Sequence, residues 1–175
     1  MQNDLYMVFD VESVGLYGAG FAVAWVVVKR NGKIVLSASY YCPPDSLIGS
    51  EDDQKWVREN VTVPQCGKLR YTMDVRNEFW RAWVHAKSQG ATLWAECCWP
   101  VEARFLLDVI YDDPENRKKD APYPLHDIAT IRLAAGFDPL ATVDRLKDEI
   151  PAHNPLCDAR QSARLMLEAM NLIDC

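Results

Sequence analysis

Apolar positions near the start of the chain fall in three short runs. The first covers residues 5–10 and ends in acids, the second covers residues 21–29, and the third covers residues 33–41. Asn31 and Gly32 separate the last two runs, and Asn-Gly between apolar runs is typical of a tight β-hairpin. The pattern predicts an antiparallel meander of three strands.

Helical spacing dominates the rest of the chain. Residues 43–69 are polar and irregular, with one short helix predicted at 52–60, and their role is left open by the sequence. The spacing then predicts helices at about 70–88, from Pro100 through Val109, from 128 to Ala135, and at 155–171, with strands at 92–95 and 125–128 and a loop at 112–122. Strands that alternate with helices after a meander indicate an α/β domain with a mixed sheet.

Length and composition narrow the class of protein. The chain has 175 residues, of which 49% are hydrophobic, so we expect one packed domain over residues 1–175. The apolar run at 21–28 is too short to cross a bilayer, and no secretory signal pattern is evident, so we expect a cytoplasmic protein with reduced cysteines. The net charge of −6 disfavours a protein that coats long duplex DNA, but a nuclease remains open because bound cations reverse the local charge.

Two acids follow the first apolar run. Asp10 and Glu12 are two residues apart on a predicted strand, so their side chains point the same way. Two carboxylates at one strand tip repel each other unless a cation lies between them, and oxygen ligands of this kind suit magnesium. The alternative is an ordinary solvated strand end.

Further candidates lie at the starts of two predicted helices. Glu96 ends the strand at 92–95 and Glu102 opens the helix that follows, where the helix dipole alone would favour an acid. His153 stands five residues before Asp158, which opens the last helix. A histidine at such a position is often only a cap or a surface residue, and His126 and His85 are expected to be structural or on the surface.

In combination these segments resemble the DEDDh branch of the 3′–5′ exonucleases, a family that includes proofreading subunits and small exoribonucleases. Residues 9–16, Phe-Asp-Val-Glu-Ser-Val-Gly-Leu, are similar to the first family motif, and residues 153–160, His-Asn-Pro-Leu-Cys-Asp-Ala-Arg, are similar to the third. The second motif differs, because Glu102 opens the segment Glu-Ala-Arg-Phe-Leu where the family has aspartate. Glu96 is therefore a rival to Glu102 as the third carboxylate.

The resemblance implies a ribonuclease H-like fold with a mixed five-stranded sheet flanked by helices. It also implies that four carboxylates hold two magnesium or manganese ions at the scissile phosphate while His153 acts as general base, a role that requires a neutral ring. The metal ligands would be Asp10, Glu12, Glu102 and Asp158.

The expected substrate is single-stranded nucleic acid with a free 3′ end. The segment 13–16 (Ser13, Val14, Gly15 and Leu16) and Trp99 would contact the terminal nucleotide, and Trp56 is a second candidate for stacking on a base. Compact members of this branch often act on RNA and several are homodimers, so RNA is favoured and self-association is an expectation.

Two alternatives stay open. A DNA exonuclease of the same fold would use the same residues, because stacking on single strands tolerates either sugar. The chain is alternatively a nucleic-acid-binding module with weak catalysis, a reading that the substitution at Glu102 permits.

Overall fold

The computed structural model describes residues 4–44, 49–63 and 67–173. The elements, in chain order, are β1 (Leu5–Ser13), β2 (Gly20–Lys29), β3 (Ile34–Tyr41), α1 (Glu51–Asn60), α2 (Thr72–Ser88), β4 (Thr92–Ala95), α3 (Val101–Tyr111), α4 (Pro114–Arg117), β5 (Leu125–Asp127), α5 (Ile128–Ala134) and α6 (Pro155–Ile173). Within these ranges no helix is long and apolar enough to cross a membrane.

Five strands form one mixed sheet in the order β3-β2-β1-β4-β5. β1 pairs antiparallel with β2 and parallel with β4, and β4 pairs parallel with β5. The three-strand meander and the mixed sheet predicted from the sequence are therefore confirmed. Because β1 and β4 run in the same direction, their carboxyl ends meet at one edge of the sheet.

Side chains alternate between two cores on the two faces of the sheet. Met7, Phe9 and Val11 of β1 face α2 and α3, where they pack against residues such as Phe79 and Phe105. The even-numbered residues face α5 and α6, and they pack with Trp94, Ile128, Ala163, Met166 and Leu167. Asp10 and Glu12 continue the even-numbered series, so both acids point to the α6 face at the end of β1.

Helix and strand boundaries agree with the predictions to within a few residues, with one clear exception. Residues 112–122 were expected to be a loop, but they contain α4 and a short 3-10 turn at Lys118–Asp120. Arg117 explains the difference, because its guanidinium is buried and donates to the carbonyl of Val109 and to the side chain of Asn77. These long-range hydrogen bonds order a charged segment whose local sequence carries no helical periodicity.

Candidate active site

The first pair of acids lies at the end of the central strand. Asp10 and Glu12 of β1 stand opposite Ala24 and Ala22 of β2, whose small side chains leave space beside the carboxylates. Glu12 is buried and Asp10 is partly buried. The backbone between the two acids also contacts the site, because the N–H of Val11 donates to the carboxylate of Glu102.

Glu102 therefore belongs to the same cluster as the acids of β1. It lies in the first turn of α3, and its side chain is only 6% exposed because α3 packs against β1. The longer side chain compared with aspartate still reaches the strand tip, as the hydrogen bond from Val11 shows.

Glu96 is placed differently. One of its carboxylate oxygens accepts from Arg132 of α5 at 3.1 Å, and the other accepts from the hydroxyl of Ser162 on α6 at 2.9 Å. Arg132 is itself buried, so the ion pair neutralises a charge that would otherwise be isolated. Glu96 is close enough to raise the pKa of Asp10, but both of its oxygens already have protein partners.

The last helix brings in the second half of the site. Asp158 lies in the first turn of α6, and the N–H of His153 donates to its carboxylate. Oxygens of Glu12 and Asp158 and a ring nitrogen of His153 all lie within 4.8 Å of one another. His153 is exposed and has a positive φ of 54°, and Asn154 behind it is buried and caps α6 through the N–H groups of Leu156 and Cys157.

The carboxylates repel one another strongly. Burial, followed by repulsion from Glu102, Asp158 and Glu12, raises the pKa of Asp10 well above its usual range. Burial and the same kind of repulsion raise the pKa of Glu12 to about 8. Burial raises the pKa of Glu102 to about 7. Burial also raises the pKa of Asp158, although Arg145 and His153 oppose this shift.

Such a cluster fits divalent cations. Oxygens of Glu12 and Asp158 lie together with the His153 ring, and Asp10 and Glu102 are close enough to repel them. All four carboxylates are oxygen donors, and a bound cation would relieve the repulsion that raises their pKa values. The residues that could hold metal are Asp10, Glu12, Glu102 and Asp158, with the imidazole of His153 beside them.

Two residues that the sequence assigned to substrate contact have exposed apolar side chains. Leu16 is 64% exposed and Trp99 is 72% exposed, so neither is an ordinary core residue. Val14, by contrast, is buried, so only its backbone is available to a ligand. Gly15 has a φ of 76°, and its carbonyl accepts from the hydroxyl of Ser13.

The sequence did not indicate Tyr17 or Arg145 as site residues, and it suggested only base stacking for Trp56. Tyr17 is exposed beside Leu16 and lines the same cavity, which measures about 450 Å³ and includes Gly49 and Asp53. Arg145 donates to Asp158. Trp56 of α1 contacts the ring of His153. Adjacency to Leu16 could have indicated Tyr17, but no local pattern distinguishes Arg145.

The other two histidines lie outside the cluster. His126 stacks on Trp94 with ring centroids 4.4 Å apart, and burial lowers its pKa. His85 is exposed on α2 and hydrogen-bonds Gln89. Asp127 accepts from the N–H of Thr130 and so caps α5. The positions of His126 and His85 agree with the structural or surface roles expected of them from the sequence.

The fold is shared with solved exonuclease structures. Exonuclease I of E. coli in complex with a dT13 oligonucleotide superposes with a TM-score of 0.67 at 11% identity, over 98% of this chain and 43% of that one. Exonuclease I of Methylocaldum szegediense superposes with a TM-score of 0.58 at 16% identity, over 97% of this chain and 40% of that one. Exonuclease X in complex with 5′ overhanging duplex DNA superposes with a TM-score of 0.55 at 20% identity, over 97% of this chain and 93% of that one.

These likenesses confirm the ribonuclease H-like fold with its mixed five-stranded sheet. The chain spans about two fifths of the length of the exonuclease I structures. No family model matches the sequence, and no curated protein matches it.

Proposed function

We propose that this protein is a metal-dependent 3′–5′ exonuclease that removes nucleotides from the 3′ end of single-stranded nucleic acid. The observation that carries the proposal is the group formed by Glu12, Asp158 and His153, whose donor atoms lie within 4.8 Å of one another. Asp10 and Glu102 lie close enough to this group for the carboxylates to raise one another's pKa values. The shared fold with exonucleases I and X agrees with it.

The four carboxylates would hold two magnesium or manganese ions, and Glu102 is preferred over Glu96 as the third ligand. Glu102 accepts from the N–H of Val11 inside the cluster, whereas both oxygens of Glu96 are bound by Arg132 and Ser162. When bound, such ions activate water at neutral pH and stabilise the charge of the leaving 3′ oxygen.

His153 would act as general base. Its ring is exposed, so it can reach a water molecule beside the phosphate, and its N–H to Asp158 fixes its backbone relative to a proposed metal ligand. The ring must be neutral to accept the proton from water. Asn154 supports this placement because it caps α6 immediately after the histidine.

The terminal nucleotide would lie along the segment 13–16. Leu16 and Trp99 offer exposed apolar surface on which unpaired bases can stack or wedge, which favours a single strand over a continuous duplex. At Val14 the backbone, rather than the buried side chain, would make the contact.

RNA remains the favoured substrate as a prediction. DNA is the second candidate, because the solved structures of similar fold contain a dT13 oligonucleotide and an overhanging DNA duplex. Self-association and a cytoplasmic location likewise stay predictions.

The deciding experiment is digestion of matched 5′-labelled single-stranded RNA and DNA, with manganese or magnesium and with chelator. A metal-dependent ladder that shortens from the 3′ end, absent in Asp10→Ala and strongly reduced in His153→Ala, is expected. His85→Ala is the matched control, because His85 is an exposed histidine on α2 away from the cluster. The ratio of the two rates gives the sugar preference.

A folded wild-type protein that cleaves neither polymer would contradict the proposal. Calorimetry with manganese and with oligonucleotides then tests the alternative of a nucleic-acid-binding module. Such a module should bind the oligonucleotides without binding manganese at the cluster.

A further inference from the structure

We infer that Trp56 is a positioning residue that holds the imidazole of His153 in its working orientation. The inference rests on the proposed function. Trp56 lies in α1, within the polar segment 43–69, and the sequence suggests for it only a stacking contact with a base. Its ring meets that of His153 edge to face, with centroids 5.0 Å apart and planes at 76°.

An exposed general base needs such a contact. His153 lies outside the hydrophobic cores, and water on its open side would let the imidazole sample several rotamers. Edge-to-face packing against a large ring selects one of these orientations. Holding a reacting group within a narrow range of geometry is one of the main sources of catalytic rate.

The backbone on the same side is also tied down. The N–H of Thr62, just after α1, donates to the carbonyl of His153 at 2.8 Å. The tryptophan and this hydrogen bond therefore hold the ring and the main chain of His153 from one short segment, residues 56–62.

α1 and the residues before it pack against the segment 13–16. Ser50 and Asp53 form a reciprocal cap at its first turn. A β-carbon at Gly15 would lie 2.9 Å from Cγ of Asp53, and one at Gly49 would lie 2.3 Å from a methyl of Val14. The helix thus packs closely on the segment 13–16 at one end and on His153 further along.

This arrangement gives Trp56 a different role from base stacking. A base-stacking tryptophan contributes to substrate binding, whereas a tryptophan that orients the base contributes to turnover through His153. The two roles separate in steady-state kinetics, because loss of the first raises KM and loss of the second lowers kcat.

The test is Trp56→Leu, alone and combined with His153→Ala, in the full chain with manganese. The single variant should lower kcat about tenfold or more with KM unchanged, since a misplaced reacting group can cost about 100-fold. In the His153→Ala background the same change should cost nothing further. Trp56→Phe should recover most of kcat, because phenylalanine can keep the ring contact.

A second readout does not need activity. The ring protons of His153, assigned by comparison with His153→Ala, should shift in the NMR spectrum of metal-free Trp56→Leu because the indole ring current is lost. Trp80→Leu is the control, since Trp80 packs against Arg117 on another part of the surface, and it should leave the His153 signals in place.

A higher KM with unchanged kcat, an equal loss in the His153→Ala background, or an unmoved His153 signal would each overturn the inference. A wild-type protein without nuclease activity would instead contradict the proposed function, and the NMR comparison would still decide whether Trp56 holds the ring.

Discussion

The guanidinium of Arg145 donates a hydrogen bond to the carboxylate of Asp158 inside the acidic cluster, and it also donates to the carbonyl of Glu149 at 2.9 Å. Both side chains are largely shielded from water. In the metal-free protein Arg145 therefore supplies positive charge to a group that is proposed to bind metal, so Arg145 and a cation at Asp158 would compete for the same carboxylate.

Replacement of Arg145 should make the fold more dependent on metal. Arg145→Gln is expected to lower the free energy of unfolding of the chelated protein by about 1–3 kcal/mol, because the partly buried carboxylate of Asp158 loses a charged donor. Manganese should restore most of the loss, so the metal-induced rise in Tm should exceed that of the wild type. Thermal denaturation with chelator and with manganese measures both quantities.

Arg81→Gln is the control for this comparison, because Arg81 forms an exposed pair with Glu78 on α2. Arg81→Gln should change Tm little and should leave the response of Tm to manganese unchanged. An identical response of Arg145→Gln and the wild type to manganese would contradict the competition.

Removal of the charge of Glu102 should mainly affect cleavage, whereas removal of the charge of Glu96 should mainly affect stability. Glu102→Gln is expected to reduce metal-dependent cleavage by about 100-fold or more, since even groups that only support ligands cost about 10–100-fold. Glu96→Gln should keep manganese binding, but it should lower stability by about 1–3 kcal/mol because buried Arg132 loses its charged acceptor.

Calorimetry with manganese, together with chemical denaturation, distinguishes these outcomes. Glu102→Asp is a useful companion variant, because it restores the shorter acid of the motif that the segment resembles. If Glu96→Gln abolished manganese binding while Glu102→Gln preserved it, the assignment of the third ligand would be reversed.

Stability of the metal-free protein should fall as pH rises. The pKa of Glu12 is raised from 4.5 to about 8 and that of Glu102 from 4.5 to about 7, mainly by burial. Between pH 4.5 and about 8 the folded protein keeps protons that the unfolded chain has released, so the free energy of unfolding decreases through this window. Because both pKa values are raised in the folded state, Tm of the metal-free protein should fall as the pH rises through this window.

Added manganese should reverse this trend, because the ionised carboxylates that destabilise the metal-free fold are the forms that bind cations. Tm measured with chelator and with manganese from about pH 5 to about pH 8.5 tests the sign. The double variant Glu12→Gln and Glu102→Gln should remove most of the slope. A chelated protein that became more stable across this range would show that the cluster is not protonated as its burial implies.

The exposed apolar side chains of Leu16 and Trp99 should matter for oligonucleotide binding and little for folding. Leu16→Ala and Trp99→Leu are expected to weaken oligonucleotide binding, by about 1–3 kcal/mol for a lost stacking contact, with Tm nearly unchanged. Fluorescence anisotropy in the Asp10→Ala background measures the Kd without cleavage. Tyr123→Leu, an exposed aromatic residue in the segment before β5, is the control and should bind as before.

Much of the fold could be read from local patterns. The Asn31-Gly32 turn between apolar runs defined the β2–β3 hairpin, and the alternation of side chains along a strand placed Asp10 and Glu12 on one face. His153 and Asp158 were recognisable because both lie in one short segment at the start of a helix. In each case the information comes from residues close together in sequence, where backbone geometry alone determines which side chains are neighbours.

Only the tertiary structure decided the relations between distant segments. The sequence favours Glu102 as the third carboxylate with Glu96 as its rival, but it does not show the surroundings of either. The structure supplies them, because α5 and α6 bring Arg132 and Ser162 to Glu96 while α3 packs Glu102 against Val11. The contacts of Trp56 with His153 and of Arg145 with Asp158 likewise depend on how loops and helices pack on the sheet. Such contacts follow from long-range burial and charge pairing, which no local spacing of residues encodes.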